Sequence, residues 1–268
     1  MSEDNSGFAC DATETAKIAL GIGEALLHYG GDVHRVEDSI TRICLAYGAE
    51  KADVFVIPSL IQLQVTMKDG TVDTQIMRLT HTYIHLARLE RANSLSRRVC
   101  ACPLPYADVM REVDAIRSYR PVPGWLGYVG AFLGTGSFTL FFGGTWRDAL
   151  CASVIGLLTV FITKHPLIRL SLNELGRIAV SSFFSGMLSI LCVYFGLGEN
   201  VDMIIIGTIM LEIPGMALGN AARDILYGDT FSGTFRFIQS LLRALVMALC
   251  YMAALAISNL IFGGGIAL

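Results

Sequence analysis

Residues 211–224 read LEIPGMALGNAARD, an apolar run that holds an acid and a Pro-Gly pair and then ends in two opposite charges. The hydrocarbon core of a bilayer offers no water to a freed backbone group or a charge. Such a segment therefore persists only where protein surrounds it or a wet cavity adjoins it. A simple membrane anchor needs neither the break nor the charges, so membrane transport is the first hypothesis for the function.

The composition indicates a membrane protein with a separate polar part. Of the 268 residues, 53% are hydrophobic and 16% are charged, and the mean hydropathy of +0.57 lies well above that of soluble domains. Thirteen of the 20 Lys and Arg residues nevertheless lie in residues 1–120. We therefore expect a membrane α-helical protein, with a small cytoplasmic α+β domain in residues 1–118 followed by five transmembrane helices in residues 119–268.

The amino-terminal domain is expected to begin with two helices. Apolar residues recur at helical spacing from Ile18 to Tyr29, and Gly30-Gly31 ends the pattern as a helix carboxyl end would. Asp32 is a suitable amino-terminal cap for a second helix, whose apolar stripe runs from Val33 to Tyr47. The first 25 residues lack the basic start and apolar core of a signal peptide, so the amino terminus is expected in the cytoplasm.

The period of the pattern then changes from helical to two. Apolar and polar residues alternate over residues 61–68, and Asp69-Gly70 predicts a tight turn into a second strand over residues 71–77. The remaining predicted elements are a short strand at Asp53–Ile57 and helices at Thr80–Arg98 and Tyr106–Arg117.

Two groups of polar residues in this domain are candidates for chemistry. His81 and His85 lie four apart on a predicted helix and could share a metal, or they are two polar residues on one helix face. Arg35 and Glu37, with Glu24, could form a polar cluster, or they pair at the surface. The sequence holds no Ser-His-Asp set, nucleophile elbow, P-loop or dinucleotide fingerprint. We therefore expect a transporter without catalytic residues, metal or cofactor, and without a nucleic-acid partner.

Five apolar segments follow in the second part of the chain. At about 1.5 Å per residue, the second and fourth are short for a hydrocarbon core of about 30 Å. Short segments and segments broken by Pro and Gly are where transporters tend to place their binding sites. The segments are Trp125–Phe142, Ala149–Thr163, Ile178–Leu197, Met203–Leu218 and Phe237–Phe262.

The basic residues predict the orientation of these segments in the cell membrane. With the amino terminus inside, the inner loops hold most of the basic residues and the outer loops hold only Arg147, as the positive-inside rule requires. Five spans leave the carboxyl terminus outside. The odd number of spans indicates that the chain is half of a larger transporter. The inner basic residues are Lys164, Arg169, Arg177, Arg223 and Arg236.

Small residues at four-residue spacing could let these helices approach one another or a partner closely. Gly130 and Gly134 form one such stripe in the first segment. Ser181, Ser185 and Ser189 form another in the third.

The break at Pro214 could form part of a binding site. Pro214 has no N–H to donate, so carbonyls near residues 209–211 are expected to lose their helical partners. A half-helix that begins after the break would point its positive end at a carboxylate. Arg223 could bind the same carboxylate, and Asp224 or Asp229 could receive a proton or an ammonium group. The alternative is that Arg223 and Asp224 merely end a helix at the cytoplasmic face.

Glu212 is the acid inside the fourth segment. An acid within a span costs about 2.5–3.5 kcal/mol on insertion scales unless it is paired or wet. A neutral, hydrogen-bonded Glu212 would suit a proton carrier. Arg243 in the fifth segment could pair with it or extend to the inner surface.

Three parts of the chain carry a resemblance to a known family. They are GEALL at 23–27 through Gly30 to Arg35-Val36-Glu37, with FVIP at 55–58; FFGGTWRD at 141–148; and IPGMAL at 213–218 with Asn220, Arg223-Asp224, Gly228-Asp229, Ser232-Gly233 and Arg236. Together they resemble the threonine/serine exporter family, in its form with a cytoplasmic domain and five spans. Two residues depart from the pattern, because Glu212 stands where an apolar residue is usual and Gly219 where Thr is frequent.

The resemblance implies a subunit of a secondary active exporter. The substrate would be threonine, serine or a C4 dicarboxylate, export would be coupled to the proton motive force, and a small five-span membrane protein of the same family would complete the pathway. A homo-oligomer stays open, as does a membrane-anchored cytoplasmic enzyme or sensor. The expected transport residues are Glu212, Pro214, Gly215, Asn220, Arg223, Asp224, Asp229, Ser232 and Arg236.

Overall fold

The computed structural model describes residues 11–80, 82–120, 123–164 and 172–262. The chain divides into two compact units, and it passes from one to the other after residues 121, 215 and 237. The amino-terminal unit comprises Met1–Pro121 and Met216–Phe237, and the second unit comprises Val122–Gly215 and Ile238–Leu268. The described elements are α1 (Ala12–His28), α2 (Val33–Ala46), β1 (Ala49–Ile57), β2 (Leu60–Met67), β3 (Val72–Arg78), α3 (Leu86–Ala101), α4 (Tyr106–Ser118), α5 (Leu126–Phe141), α6 (Trp146–Lys164), α7 (Glu174–Tyr194), α8 (Val201–Ile209), α9 (Gly215–Leu226) and α10 (Thr230–Phe262).

The turn between α1 and α2 follows the prediction made from Gly30-Gly31 and Asp32. Gly30 has a φ of 95°, a conformation that residues with a Cβ rarely adopt. Gly31 donates its N–H to the Leu26 carbonyl at 2.9 Å, and a Cβ on Gly31 would lie 2.8 Å from that oxygen. Asp32 caps α2 by accepting the Arg35 N–H at 2.9 Å. The two glycines therefore close α1 and place the cap of α2 within one turn.

The predicted hairpin is present within a three-stranded antiparallel sheet of order β1-β2-β3. Gly70 has a φ of 85°, and Asp69 accepts the Thr71 N–H at 2.9 Å, as its turn requires. One face of β2 and the apolar stripes of α1, α2, α3 and α4 form the core of this unit. Its central residues are Ile18, Ile22, Leu27, Ile40, Ile43, Ile61, Leu63, Leu95, Val99 and Val109.

The third helix begins later than the sequence pattern indicates. α3 begins at Leu86 rather than near Thr80, because His85 caps it and the preceding segment bonds to the end of α1. Tyr83 donates its N–H to the His28 carbonyl at 3.0 Å, and His85 donates to the Tyr29 carbonyl at 3.2 Å. His85 therefore lies outside the helix. The metal pair predicted with it depends on His81, which lies outside the described residues.

The second unit is helical, and three helices of the described chain are long and apolar enough to cross a membrane. They are Trp146–Lys164, Glu174–Tyr194 and Thr230–Ile261, and the shorter α5 is also apolar. These helices indicate a membrane protein. The count of five spans stays a prediction.

Glycines and hydroxyls hold α5, α6 and α8 close together. Thr135 donates to the Ala152 carbonyl at 2.9 Å, and a Cβ on Gly156 would lie 2.6 Å from the Thr135 hydroxyl. A Cβ on Gly207 would meet the Thr139 hydroxyl and lie 2.9 Å from the Thr135 carbonyl. In contrast, Gly130 and Gly134, the stripe selected from the sequence, face open space. Close packing of these helices therefore depends on Gly156 and Gly207 rather than on Gly130 and Gly134.

Asp148 joins two connections at one end of these helices. Its carboxylate accepts the Thr145 N–H at 3.0 Å, the Glu199 N–H at 2.6 Å and the Asn200 N–H at 3.0 Å. The residue is fully buried. The acid of the FFGGTWRD motif thus fixes the loop after α5 to the loop after α7.

The fourth apolar segment is broken where the sequence predicted. α8 ends at Ile209, and α9 begins at Gly215. The Ile209 carbonyl is not free, however, because it accepts the N–H groups of Glu212 at 2.8 Å and Ile213 at 3.1 Å. Pro214 lacks the N–H that would bond to the Met210 carbonyl, and the Ile209 carbonyl keeps its helical partner Ile213 and gains Glu212 in the turn.

Candidate functional site

The polar residues that follow the break form one cluster within the amino-terminal unit. We call the motif cluster the residues Asn220, Arg223, Asp224, Asp229, Ser232 and Arg236, with the turn 30–32 on which they pack. Asn220, Arg223 and Asp224 lie on α9, Asp229 lies in the turn after it, and the last two lie in the first turns of α10. The site is therefore built from two parts of the sequence about 190 residues apart.

Two members of the motif cluster bind the backbone of the turn between α1 and α2. Asn220 donates from Nδ2 to the Gly30 carbonyl at 3.2 Å. Arg236 donates from Nη2 to the Gly31 carbonyl at 3.1 Å. Carbonyls just past a helix end lack helical partners, so these side chains satisfy acceptors that the α1 end leaves over. Their role in the structure is to hold the turn.

Arg223 reaches the same turn through its charge. Its Nη1 lies 3.5 Å from Oδ2 of Asp32, whose other oxygen caps α2. The Asp32 side chain is only 6% exposed, whereas that of Arg223 is 53% exposed. An ion pair with one exposed member is weak in water. Arg223 is thus a cation that a buried acid orients while about half of its side chain remains accessible.

Asp224 is the buried acid of the motif cluster. Its Oδ2 lies 3.4 Å from Nε of Arg236, and within the described residues neither oxygen accepts a hydrogen bond of good geometry. Burial raises the pKa of Asp224, while the charge of Arg236 and the Val33 N–H lower it. The charges of Asp32 and Asp229 raise this pKa further. The net direction is upward, so this carboxyl is easier to protonate than an exposed one.

Asp229 and Glu37 add two acids to the surroundings of the cluster. Glu37 accepts the Val56 N–H at 2.8 Å, and burial raises its pKa more than this bond lowers it, with Asp229 raising it as well. One oxygen of Asp229 is buried and has no hydrogen-bond partner among the described residues. His34 stacks on Tyr227 with ring centroids 5.5 Å apart. Acids therefore outnumber the two arginines around this turn.

Ser232 and Gly233 bring α10 against α9. Ser232 is buried, and a Cβ on Gly233 would lie 2.8 Å from the Ala221 carbonyl. Only a glycine fits at this distance without a shift of the backbone. The Ser-Gly pair therefore supports the geometry of the cluster through close packing.

The other three predicted residues lie in the second unit. Glu212 accepts a hydrogen bond from the Ser182 hydroxyl at 2.7 Å, and Pro214 and Gly215 form the break that follows. Arg243, which the sequence offered as a partner for Glu212, instead forms an ion pair of 2.9 Å with Glu174. The nine predicted residues thus separate into six within the amino-terminal unit and three within the second.

The other candidates from the sequence do not assemble into a site. Glu24 pairs with Arg117 at 2.6 Å, and Glu37 bonds to β1, so the predicted cluster with Arg35 is absent from the described structure. Across residues 11–80, 82–120, 123–164 and 172–262, no group of three His, Cys, Asp or Glu residues is placed to hold a metal ion. Sequence reasoning missed that the turn 30–32 is part of the site, although the resemblance had marked both contacting segments.

Comparison with known proteins identifies the family. The family model described as "Putative threonine/serine exporter" matches residues 17–258. The "Probable succinate transporter subunit YjjP" of Klebsiella aerogenes is 23% identical over 236 residues, which cover 87% of this chain and 89% of that protein. The "Uncharacterized protein C16A10.01" of Schizosaccharomyces pombe is also 23% identical over 236 residues. These cover 85% of this chain and 28% of the yeast protein.

No solved structure matches the chain significantly. The family model nevertheless covers both the turn 30–32 and every residue of the motif cluster. The chain belongs to the threonine/serine exporter family.

Proposed function

We propose that the chain is a subunit of a secondary active exporter that moves a small carboxylate-bearing metabolite out of the cytoplasm. The family match, the apolar helices and the name of the Klebsiella relative support this proposal. The substrate is threonine or serine, or a C4 dicarboxylate such as succinate, and the proton motive force drives its export.

Arg223 is the observation that carries the proposal. Its side chain is more than half exposed, and its Nη1 lies 3.5 Å from Oδ2 of Asp32, which is too far for a tight bidentate pair. A substrate carboxylate could bind the exposed side in the fork geometry that guanidinium groups favour. Asn220 and Arg236 would then keep the turn 30–32 in place beside it.

The acids of the motif cluster bear on the choice of substrate. Asp229 has one buried oxygen without a hydrogen-bond partner in the described chain, and the pKa of Asp224 is raised. An ammonium group could be received by such oxygens, so the cluster suits a zwitterionic amino acid. A dicarboxylate would require that these acids be protonated first. The geometry therefore favours threonine or serine, while the relative's name favours succinate.

The remaining parts of the proposal concern assembly and orientation. Residues 1–118 form a cytoplasmic domain, residues 119–268 supply five spans, and the carboxyl terminus lies outside. A five-span membrane protein of the same family completes the pathway, in agreement with the word "subunit" in the relative's name. The motif cluster then lies where a substrate enters from the cytoplasm.

Efflux from loaded cells tests the proposal. Cells that express the full chain, with or without a five-span family member, are loaded with threonine, serine or succinate, and release is compared. Arg223→Ala should abolish release, while Arg42→Ala, which removes an exposed arginine paired with Asp38, should leave it unchanged. Normal release by Arg223→Ala at normal protein levels would refute the role of Arg223, and no release of any of these acids by the unmodified chain would refute the function.

A further inference from the structure

Glu212 occupies a polar pocket inside the apolar second unit. It lies in the turn after α8, and its Oε2 accepts the Ser182 hydroxyl at 2.7 Å. Its Oε1 is buried and has no hydrogen-bond partner among the described residues. Ser182 and the neighbouring Ser181 are themselves buried on α7. An acid therefore faces hydroxyl groups at a depth where apolar residues surround it.

No cation balances this acid within the described part of the chain. The groups that face it are Ser181 and Ser182 from α7, and Cys250 and Tyr251 from α10. Tyr251 in turn lies 3.5 Å from the Thr208 hydroxyl. The nearest arginine on α10, Arg243, is paired with Glu174. An ionised Glu212 would thus be a buried charge without a counter-charge, which is costly in an apolar medium.

The hydrogen bonds of Ser181 support a neutral carboxyl. The Ser181 hydroxyl donates to the Ile178 carbonyl at 3.0 Å, so its one proton is already engaged. It therefore has no proton to donate to Glu212, whose Oε1 stays without a hydrogen-bond partner among the described residues. Ser182 donates to the other oxygen. The serine pair thus supplies this carboxyl with one hydrogen bond, which is too few to solvate a buried carboxylate.

We propose that Glu212 is the carboxyl group that takes up and releases the coupling proton of export. In its buried position this carboxyl is neutral, and its Oε2 is held by the Ser182 hydroxyl. When transport brings the turn 210–213 into contact with water, the acid dissociates, the proton passes to that water, and the carboxylate is solvated. Reprotonation from the opposite side returns it to the serine pocket. This inference rests on the proposed export function.

The position of Glu212 supports exchange of the proton. Glu212 lies in a turn between two helices, so it can move without unwinding a regular helix. Discontinuous helices of this kind place ion-coupling groups in other transporters. If Glu212 served only as a permanently neutral hydrogen-bonding group, a glutamine of the same shape would serve equally well.

Membrane vesicles that contain the full chain test the inference with two assays. The first measures substrate movement driven by an imposed pH gradient, and the second measures exchange of labelled for unlabelled substrate without a gradient. Glu212→Gln keeps the shape and the hydrogen bonds of the neutral acid. We expect it to lose gradient-driven movement and to keep exchange. Glu174→Gln, which changes an exposed acid at the start of α7, the helix that carries Ser181 and Ser182, should keep both.

The outcomes separate the inference from the proposed function. If the unmodified chain performs neither assay with any of the three acids, the export function fails. If the unmodified chain transports and Glu212→Gln is driven by the gradient as well as the wild type, the inference alone fails. Transport by the wild type that depends on sodium and not on protons would also overturn the inference.

A chemical measurement covers the case in which the variant is not produced. Dicyclohexylcarbodiimide reacts with protonated carboxyl groups in apolar surroundings, and mass spectrometry locates the modified residue in the wild-type chain. We expect Glu212 to be modified, the modification to stop transport, and bound substrate to slow the modification. Transport that continues at the full rate after complete modification of Glu212, or a Glu212 that is never modified, would refute the proposal.

Discussion

Arg236 donates a hydrogen bond of 3.1 Å to the carbonyl of Gly31, a residue 205 positions earlier in the chain. The same guanidinium lies 3.4 Å from Asp224 through its Nε. One side chain therefore joins the start of α10, the last turn of α9 and the turn between α1 and α2. This arrangement explains why arginine, with donors in several directions, is needed at this position.

Replacement of Arg236 by Ala should destabilise the amino-terminal unit by about 3 kcal/mol, because it leaves the Asp224 charge buried without its partner. Arg236→Lys should restore only part of this loss, since an ammonium group cannot reproduce the planar fork. Thermal unfolding of the full chain in detergent measures both. Arg42→Ala is the control, and it should change stability by about 0.5 kcal/mol or less. Equal effects of Arg236→Ala and Arg42→Ala would contradict the assigned contact.

Gly207 and Gly134 form a matched pair of helical glycines in the second unit. A Cβ on Gly207 would meet Thr139 and the Thr135 carbonyl, whereas one on Gly134 would meet nothing within 4 Å. We expect Gly207→Ala to destabilise by about 1–3 kcal/mol through overpacking. Gly134→Ala should be neutral or stabilise by about 0.5–1 kcal/mol through helix propensity. Unfolding temperatures in detergent compare them, and a reversed order would show that α5 and α8 do not pack as described.

Asp148 should be needed for the stability of the loop after α7. Asp148→Ala removes the acceptor of the Glu199 and Asn200 N–H groups, and each such hydrogen bond to a charged group is worth about 1.5–3 kcal/mol. Limited proteolysis should then cut the loop near residues 197–200 faster than in the wild type. Asp202→Ala removes a nearby exposed acid and serves as the control. Unchanged cleavage in Asp148→Ala would argue against this set of hydrogen bonds.

The pH dependence of stability should report Asp224. Burial raises its pKa above the ordinary value of 3.8, so the folded state binds the proton more tightly than the unfolded state does. Its contribution to stability is then present below pH 3.8 and is lost as the pH rises through the raised pKa. Asp224→Asn should remove this dependence. The difference in unfolding temperature between the variant and the wild type should shift in favour of the variant as the pH rises.

Glu37 has a raised pKa as well, and it acts in the same direction. The comparison therefore uses Asp224→Asn in both the wild type and a Glu37→Gln background. Asp38→Asn, at an exposed ion pair, is the control. A difference between Asp224→Asn and the wild type that does not vary with pH would show that Asp224 has the same affinity for protons in the folded and unfolded states.

Local rules in the sequence were sufficient for the elements of the amino-terminal unit. Gly30-Gly31, Asp32 and Asp69-Gly70 each determine a conformation through their own backbone or capping chemistry, and the structure has these features where they were expected. The start of α3 was wrong because its determinant is not local. Residues Tyr83 and His85 bond to the carbonyl end of α1, and no periodicity in residues 80–98 reveals that competition.

The contacts of the motif cluster lay beyond local rules altogether. Asn220 and Arg236 bind carbonyls about 200 residues away, and a backbone acceptor leaves no mark in a side-chain pattern. Only the family resemblance, which includes both residues 23–37 and residues 213–236, linked these two segments of the sequence. The break at Pro214 was predictable because proline acts on its own helix, whereas the tight turn that satisfies Ile209 depends on the main chain after it.

The brevity of α8 has a consequence for how the protein is made. Its nine residues extend about 14 Å, less than half of a hydrocarbon core of about 30 Å. A segment of this length cannot enter the lipid alone during synthesis, because the unpaired N–H and C=O groups at its ends would lie in the hydrocarbon core. Gly207 on α8 packs directly against Thr135 and Thr139 of α5. This segment must therefore enter the bilayer already packed against α5, which precedes it in the chain.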